Sequence, residues 1–273
     1  MQIRTFNKLF RTAKPLVGAV HLEALPGAPG WGGSMERVIV AAVSDAEALV
    51  KGGSDGLIIE NFGDIPFFRD RVPPHTIAAM TAVGVKIRER FPKIPFGVNV
   101  LRNDAAAALG VACSIGADFI RVNIHTGVCV TDQGLIEGRA EETLRLRRSL
   151  QCSVLIFADV NVKHASPMDA REIGALAKET VERGLADAII ITGGATGTIA
   201  QSAEISRVRE VVTAPIIVGS GITPASIASY IAKADGFIVG TYLKRGGRIE
   251  NRVDTARVGK LVSTVKGLRQ SRK

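Results

Sequence analysis

Polar residues that can move protons or hold anions recur at the ends of successive β-branched runs, spaced two apart. The pattern reads His21-x-Glu23, then Glu60-Asn61, then Asn99 inside an apolar run, then Arg121-x-Asn123-x-His125, then Asp159-x-Asn161-x-Lys163. Residues two apart on a strand share a face, so strands laid side by side would bring these groups to one mouth. Any single one also suits a solvated loop end, or an amide that satisfies neighbouring backbone. Five successive strand ends are a different matter. Burying Asn, Arg, Asp and Lys there without partners would cost roughly several kcal/mol, which favours an active or binding site.

Glu60, Asp159 and Glu23 are candidate general bases, with His21 or His125 as acid partner. Proton abstraction beside a carbonyl needs two groups on opposite sides of a carbon. Asn99 and Asn123 complete the polar set. Lys163 suits a Schiff-base amine if desolvated, or a fixed cation for a phosphate. Two carboxylates with one or two imidazoles also match a divalent metal, which leaves the cofactor open, although no H-x-H or H-E-x-x-H spacing accompanies them.

The last three apolar runs end differently, in Gly193-Gly194, Gly219-Ser220-Gly221 and Gly240-Thr241. A turn needs one glycine; this many lets backbone amides approach an anion closely. Thr192, Thr196, Thr198, Ser220 and Thr241 add hydroxyls. A phosphate or another oxyanion is expected on this rim. Loops 24–34, 62–73 and 126–138 are long, and the first holds the only Trp, Trp31, placed to act as a lid or stacking wall.

The elements that position these groups alternate in eight rounds. Strands are predicted at 16–22, 56–61, 96–101, 119–125, 154–160, 188–193, 216–221 and 237–242. Helices are predicted at 35–51, 74–91, 105–115, 139–150, 169–183, 203–212, 224–231 and 254–268, with Thr223 as the cap before Pro224. A phrase of helix, Gly, Asp, strand recurs at Asp55, Asp118 and Asp187. The fold expected is α/β, a single (β/α)8 TIM barrel over residues 14–269, flanked by basic termini at 1–13 and 270–273. An open doubly wound sheet is the alternative, and the first strand lacks its G-x-G-x-x-G turn.

Composition narrows the classes. In 273 residues, 46% are hydrophobic, enough to fill one core. No run of eighteen apolar residues and no secretory signal is found, so a cytoplasmic location is expected. Cys113, Cys129 and Cys152 are odd in number with no C-x-x-C, which argues against a disulfide framework. The net charge of +9 is scattered over the helices. No nucleic-acid-binding signature accompanies it, whereas peripheral attraction to an anionic membrane fits. No patch identifies a homo-oligomer interface, so pairing stays open.

Several blocks together resemble the BtpA family: Val17-Gly18-Ala19-Val20-His21-Leu22 with Leu25-Pro26-Gly27, Gly56-Leu57-Ile58-Ile59-Glu60-Asn61-Phe62-Gly63-Asp64-Ile65-Pro66-Phe67, Gly97-Val98-Asn99-Val100-Leu101-Arg102-Asn103-Asp104, Phe119-Ile120-Arg121-Val122-Asn123, and Ala158-Asp159-Val160-x-Val162-Lys163-His164. The resemblance spans about residues 14–269. It implies a barrel of the ribulose-phosphate-binding kind, in a family named for a protein linked to photosystem I biogenesis, and it supplies no proven catalytic residue. Two expectations follow. One is an isomerase, epimerase or aldolase-like lyase acting on a small phosphorylated or anionic ligand; the other is a peripheral biogenesis or stability factor for a membrane complex.

Overall fold

A computed structural model describes residues 5–162, 164–168, 171–193 and 202–270. Eight parallel strands close into a barrel in the order β1 (Leu16–His21), β11 (Gly236–Val239), β10 (Ile216–Val218), β9 (Ala188–Ile191), β7 (Leu155–Val160), β4 (Phe119–Val122), β3 (Phe96–Asn99) and β2 (Gly56–Glu60). Around it run α2 (Met35–Lys51), α3 (Pro74–Arg90), α4 (Ala105–Ile115), α5 (Ala140–Ser149), α6 (Ile173–Glu182), α7 (Ser202–Val211) and α8 (Thr255–Gln270). The expected TIM barrel is therefore the fold, with most strands ending one to three residues earlier than the apolar runs do. Ladder pairing stops where the backbone turns out to form the mouth.

One helix departs from expectation. Residues 224–231 form only a 3-10 turn at Ile227–Ser229. Thr223 Oγ1 accepts the Ser226 N–H at 3.1 Å, but the turn itself starts after Ser226, which makes no side-chain cap bond. Ser226 Oγ, however, donates to the Gly221 carbonyl at 2.8 Å and Ser229 Oγ to the Ser226 carbonyl at 2.6 Å. Short hydroxyl side chains that bond local backbone compete with helix propagation.

Inside the barrel, period-two alternation stacks an apolar layer below a polar one. Val17, Ile58, Phe119, Leu155, Phe157, Ala188, Ile190, Ile217 and Ile238 share one buried cluster. Phe119 and Phe157 stack with centroids 4.5 Å apart, and a Cβ at Gly97 would overlap the Phe119 ring. Within the segment 1–13, expected as a basic terminus flanking the barrel, residues 6–10 form α1 (Phe6–Phe10), which closes the floor. Phe6 lies 5.8 Å from the Phe157 ring and Phe10 lies 6.1 Å from that of Phe119.

The recurring Gly–Asp phrase has a structural cause. Asp55, Asp118, Asp187 and the equivalent Asp235 each accept a backbone N–H at the start of the neighbouring strand, at Leu16, Phe96, Ile156 and Ile216 respectively. Each also pairs with an arginine from the helix layer: Arg269, Arg88, Arg147 and Arg209. A collar of four carboxylates thus anchors the base of the barrel to its helices.

The cysteine expectation is corrected. Cys113 of α4 and Cys152, three residues before β7, form a disulfide with Cα atoms 6.1 Å apart, and Cys129 stays outside it. Counting parity in a sequence cannot detect two residues brought side by side by helix packing. Two further strands, β5 (Val128–Thr131) and β6 (Gly134–Glu137), form a hairpin in the loop 126–138. β8 (Ala165–Pro167) adds to it, making a small antiparallel sheet over one side of the mouth.

Candidate active site

Register builds the polar layer. His21 pairs with Glu60, Glu60 with Asn99 and Asn99 with Arg121 across β1, β2, β3 and β4. Arg121 lies at the centre. Its Nε and Nη2 donate to Asp159 Oδ1 and Oδ2 at 3.0 and 2.8 Å, and its Nη1 donates to Glu60 Oε1 at 3.1 Å. Burial works to lower the pKa of this guanidinium, but the Asp159 and Glu60 carboxylates outweigh it and the net direction is upward. Arg121 is a permanent cation.

The two carboxylates differ in what remains to them. Asp159 is fully buried and also accepts Asn123 Nδ2 at 3.0 Å, so three donors occupy it. That corrects the reading of Asp159 as a base: it orients Arg121 and Asn123. Glu60 accepts Asn99 Nδ2 at 3.3 Å on Oε1, while its Oε2 lies 3.7 Å from His21 Nε2. The His21 ring stacks on Phe62 with centroids 4.7 Å apart. It also lies where a Cβ at Gly240 would come within 2.7 Å of its Cε1.

Two cavities meet at Glu60, Phe62 and Arg121. The first, of 370 Å³, is lined by His21, Gly219, Ser220, Gly221, Gly240 and Thr241. Gly219 gives its N–H to the Ile191 carbonyl at 2.9 Å, so it contributes open space rather than a donor. Gly221 takes a φ of +66°, a backbone that favours glycine. The second cavity, of 320 Å³, is lined by Asn99, Asn123, Arg102, Phe67 and His164 among others. Burial lowers the Arg102 pKa, and Asp159 opposes that shift.

The remaining candidates fall elsewhere. His125 is buried away from the mouth, its ring Nε2 2.8 Å from the Gly184 carbonyl. Asn103 causes this by bonding both the N–H and the carbonyl of Ile124, at 2.8 Å each, which turns the chain out of the barrel. Burial pushes the His125 pKa down, and the Gly184 bond opposes it. Glu23 lies outside, paired with Arg37 and Arg252. Gly193 is buried beyond β9 and does not line either cavity. Lys163, Gly194, Thr196 and Thr198 lie outside the described residues. Trp31 packs on the outer core; Phe62 supplies the aromatic wall that loop 24–34 was expected to provide.

Sequence reasoning underrated Arg121, Arg102 and Phe62. The available signal was an arginine in phase with Asn123 on an apolar strand, and an aromatic directly after Glu60-Asn61. Among the described residues, no group of three or more His, Cys, Asp or Glu is placed to hold a metal. Between Glu60 and Asp159, the position a cation would take is filled by Arg121.

The chain is similar to several known proteins. An uncharacterized protein of Thermococcus kodakarensis is 46% identical over 260 residues, covering 94% of this chain and 97% of that one. The photosystem I biogenesis protein BtpA of Synechocystis is 44% identical over 257 residues, covering 94% and 89%. Among solved structures, thiamine phosphate pyrophosphorylase from Pyrococcus furiosus superposes with a TM-score of 0.61 at 14% identity, over 95% of this chain and 98% of that one. At that identity the likeness shows the TIM-barrel fold alone. The BtpA family model matches residues 12–267, and the chain belongs to the BtpA family.

Proposed function

We propose that the mouth binds a small phosphorylated or otherwise anionic ligand and acts on it as an isomerase, epimerase or aldolase-like lyase. The observation that carries this reading is that Glu60 and His21, 3.7 Å apart, line the same 370 Å³ cavity as the glycine rim. The rim takes the anion on backbone amides around Gly221, Gly240 and Thr241. Glu60 takes a proton from the carbon next to a carbonyl, and His21 polarises the carbonyl oxygen or returns the proton. Arg121 Nη1 and Asn99 Nδ2 both donate to Glu60 Oε1 and orient the carboxylate.

Thermal unfolding against sugar phosphates, nucleotides, inorganic phosphate and divalent metals tests it. A ligand at a hundred times its Kd adds about 2.7 kcal/mol, several degrees for a chain of this size. The expected result is a shift with phosphorylated ligands that Gly221→Asp abolishes. No shift with any of them overturns the reading.

A second reading, a peripheral factor for a membrane complex, is favoured by the +9 charge and by the name of the Synechocystis relative. No helix among the described residues is long and apolar enough to cross a membrane. Binding to anionic vesicles at low salt that is lost at high salt supports it; its absence at low salt removes it.

A further inference from the structure

The cavity at the glycine rim has a further charged wall from outside the eight strands. Arg257, in the first turn of α8, lines the same 370 Å³ space as Gly221, Gly240 and Thr241. Its backbone is fixed by Asp254, whose Oδ1 accepts the Ala256 N–H at 2.9 Å and whose carbonyl accepts the Val258 N–H at 3.0 Å, so that Asp254 opens the helix. Its side chain is fixed by Tyr242. Nε donates to the Tyr242 carbonyl at 2.6 Å, and the guanidinium carbon lies over the Tyr242 ring, 4.4 Å from the centroid. Gly247 leaves room beside it: at a φ of +68°, an added Cβ there would lie 3.2 Å from Nη2. The support for this arrangement reaches back to α2. Asp45, buried at 2% exposure, accepts Lys244 Nζ at 3.0 Å on Oδ2 and the Val253 N–H at 2.9 Å on Oδ1, and Lys244 also bridges to Val253. The connection from β11 to α8 is thus clasped at both ends, with Tyr242 and Arg257 flanking the clasp.

Tyr242 occupies Nε and one face of the guanidinium, and leaves the two Nη groups. Among the described residues no carboxylate pairs with them, and neither is sealed from solvent. The other ions lining this cavity, Glu60 and Arg121, are paired with each other at 3.1 Å, so Arg257 brings a positive charge that they do not cancel. An arginine serving only solubility would extend its head into water. Holding it flat on a ring costs rotamer freedom, and a planar fork of two donors is the geometry that meets an oxyanion. We infer that Arg257 is a ligand-binding residue whose two Nη groups take the anionic group of the ligand, supplying the formal charge that the backbone amides of the rim lack. This rests on the mouth taking an anion, and it adds a residue from the helix layer that recognises the anion by its charge.

Calorimetric titration of the full chain with inorganic phosphate, in the unaltered protein, Arg257→Gln and Gly221→Asp, tests the assignment. The expected result is that Arg257→Gln weakens phosphate about ten- to a hundredfold, the loss of hydrogen bonds to a charged group, and that its affinity falls less steeply with added salt. Equal affinity in a folded Arg257→Gln, while Gly221→Asp abolishes binding, overturns the role of Arg257 and leaves the rim reading standing. Binding that survives Gly221→Asp but is weakened in Arg257→Gln does the reverse: the rim reading falls and Arg257 is upheld. No binding of phosphate to the unaltered protein overturns both. A measurement without any variant covers the case in which Arg257→Gln does not fold. Phosphate should shield Arg257 of the unaltered protein from phenylglyoxal, read by peptide mass mapping, and labelling of Arg257 that phosphate leaves unchanged overturns the inference.

Discussion

Arg121 grips Asp159 through two parallel hydrogen bonds, Nε to Oδ1 at 3.0 Å and Nη2 to Oδ2 at 2.8 Å, in the interior of the barrel. Such a pair is costly to break from one side, because the remaining charge stays buried. Arg121→Met is expected to destabilise the fold by about 3–5 kcal/mol, measured by urea unfolding. Arg121→Met/Asp159→Leu should recover a large part of that loss. A single variant as stable as the unaltered protein would remove the pair from the structural account.

Glu60 has the opposite character, since a glutamine retains the oxygen that accepts from Asn99 and Arg121. Glu60→Gln is expected to fold normally and to lower kcat about 10²–10⁴-fold, the range for a lost general base. Undiminished turnover on whatever substrate is found would exclude Glu60 as the base.

Gly240 leaves room for the His21 ring, because an added Cβ would lie 2.7 Å from Cε1 and 3.0 Å from Nε2. Gly240→Ala should therefore displace the ring from Phe62 and Glu60. We expect kcat to fall at least tenfold while the melting temperature changes by only a few degrees; a misplacement of about 1 Å can cost a hundredfold. A change in KM alone would place the role of Gly240 in ligand binding rather than in holding His21.

Burial depresses the His125 pKa below its unfolded value. The unfolded chain then binds the proton more readily than the folded one, so this contribution to stability is complete above the unfolded value, near 6.5. It is lost as pH falls below that value toward the folded pKa. The unaltered protein should lose more melting temperature between pH 7.5 and pH 5 than His125→Gln does. Equal slopes for the two proteins would contradict the shift.

The Cys113–Cys152 disulfide closes a loop across a sequence separation of 39. Chain entropy assigns such a crosslink about 4 kcal/mol. Cys113→Ser/Cys152→Ser should be less stable by about that amount, and the unreduced, denatured protein should show one titratable thiol. Three thiols before reduction would show that the bridge does not form.

Much of the architecture was legible because it depends on local periodicity. Apolar runs alternating with helical segments give eight strands and an outer helix layer, and polar residues two apart at strand ends must share a face. The Gly–Asp phrase announced a repeated join whose purpose, a carboxylate collar, appeared only with the arginines that meet it. Period two states which side a residue faces, not which residue it meets, and partners depend on barrel closure. Closure put Arg121 between Glu60 and Asp159, turning one candidate base into a clamp and leaving the other beside His21. Asn103, twenty-one residues before Ile124, bends the chain so that His125 leaves the mouth although its spacing is in phase. Phe6 and Phe10 became a floor, and Cys113 met Cys152, for the same reason. The amino-acid sequence by itself determined the barrel and the polar character of its mouth, since both follow from residues near in the chain. Which groups there share charge, and which face empty space, was decided by contacts between residues far apart in it.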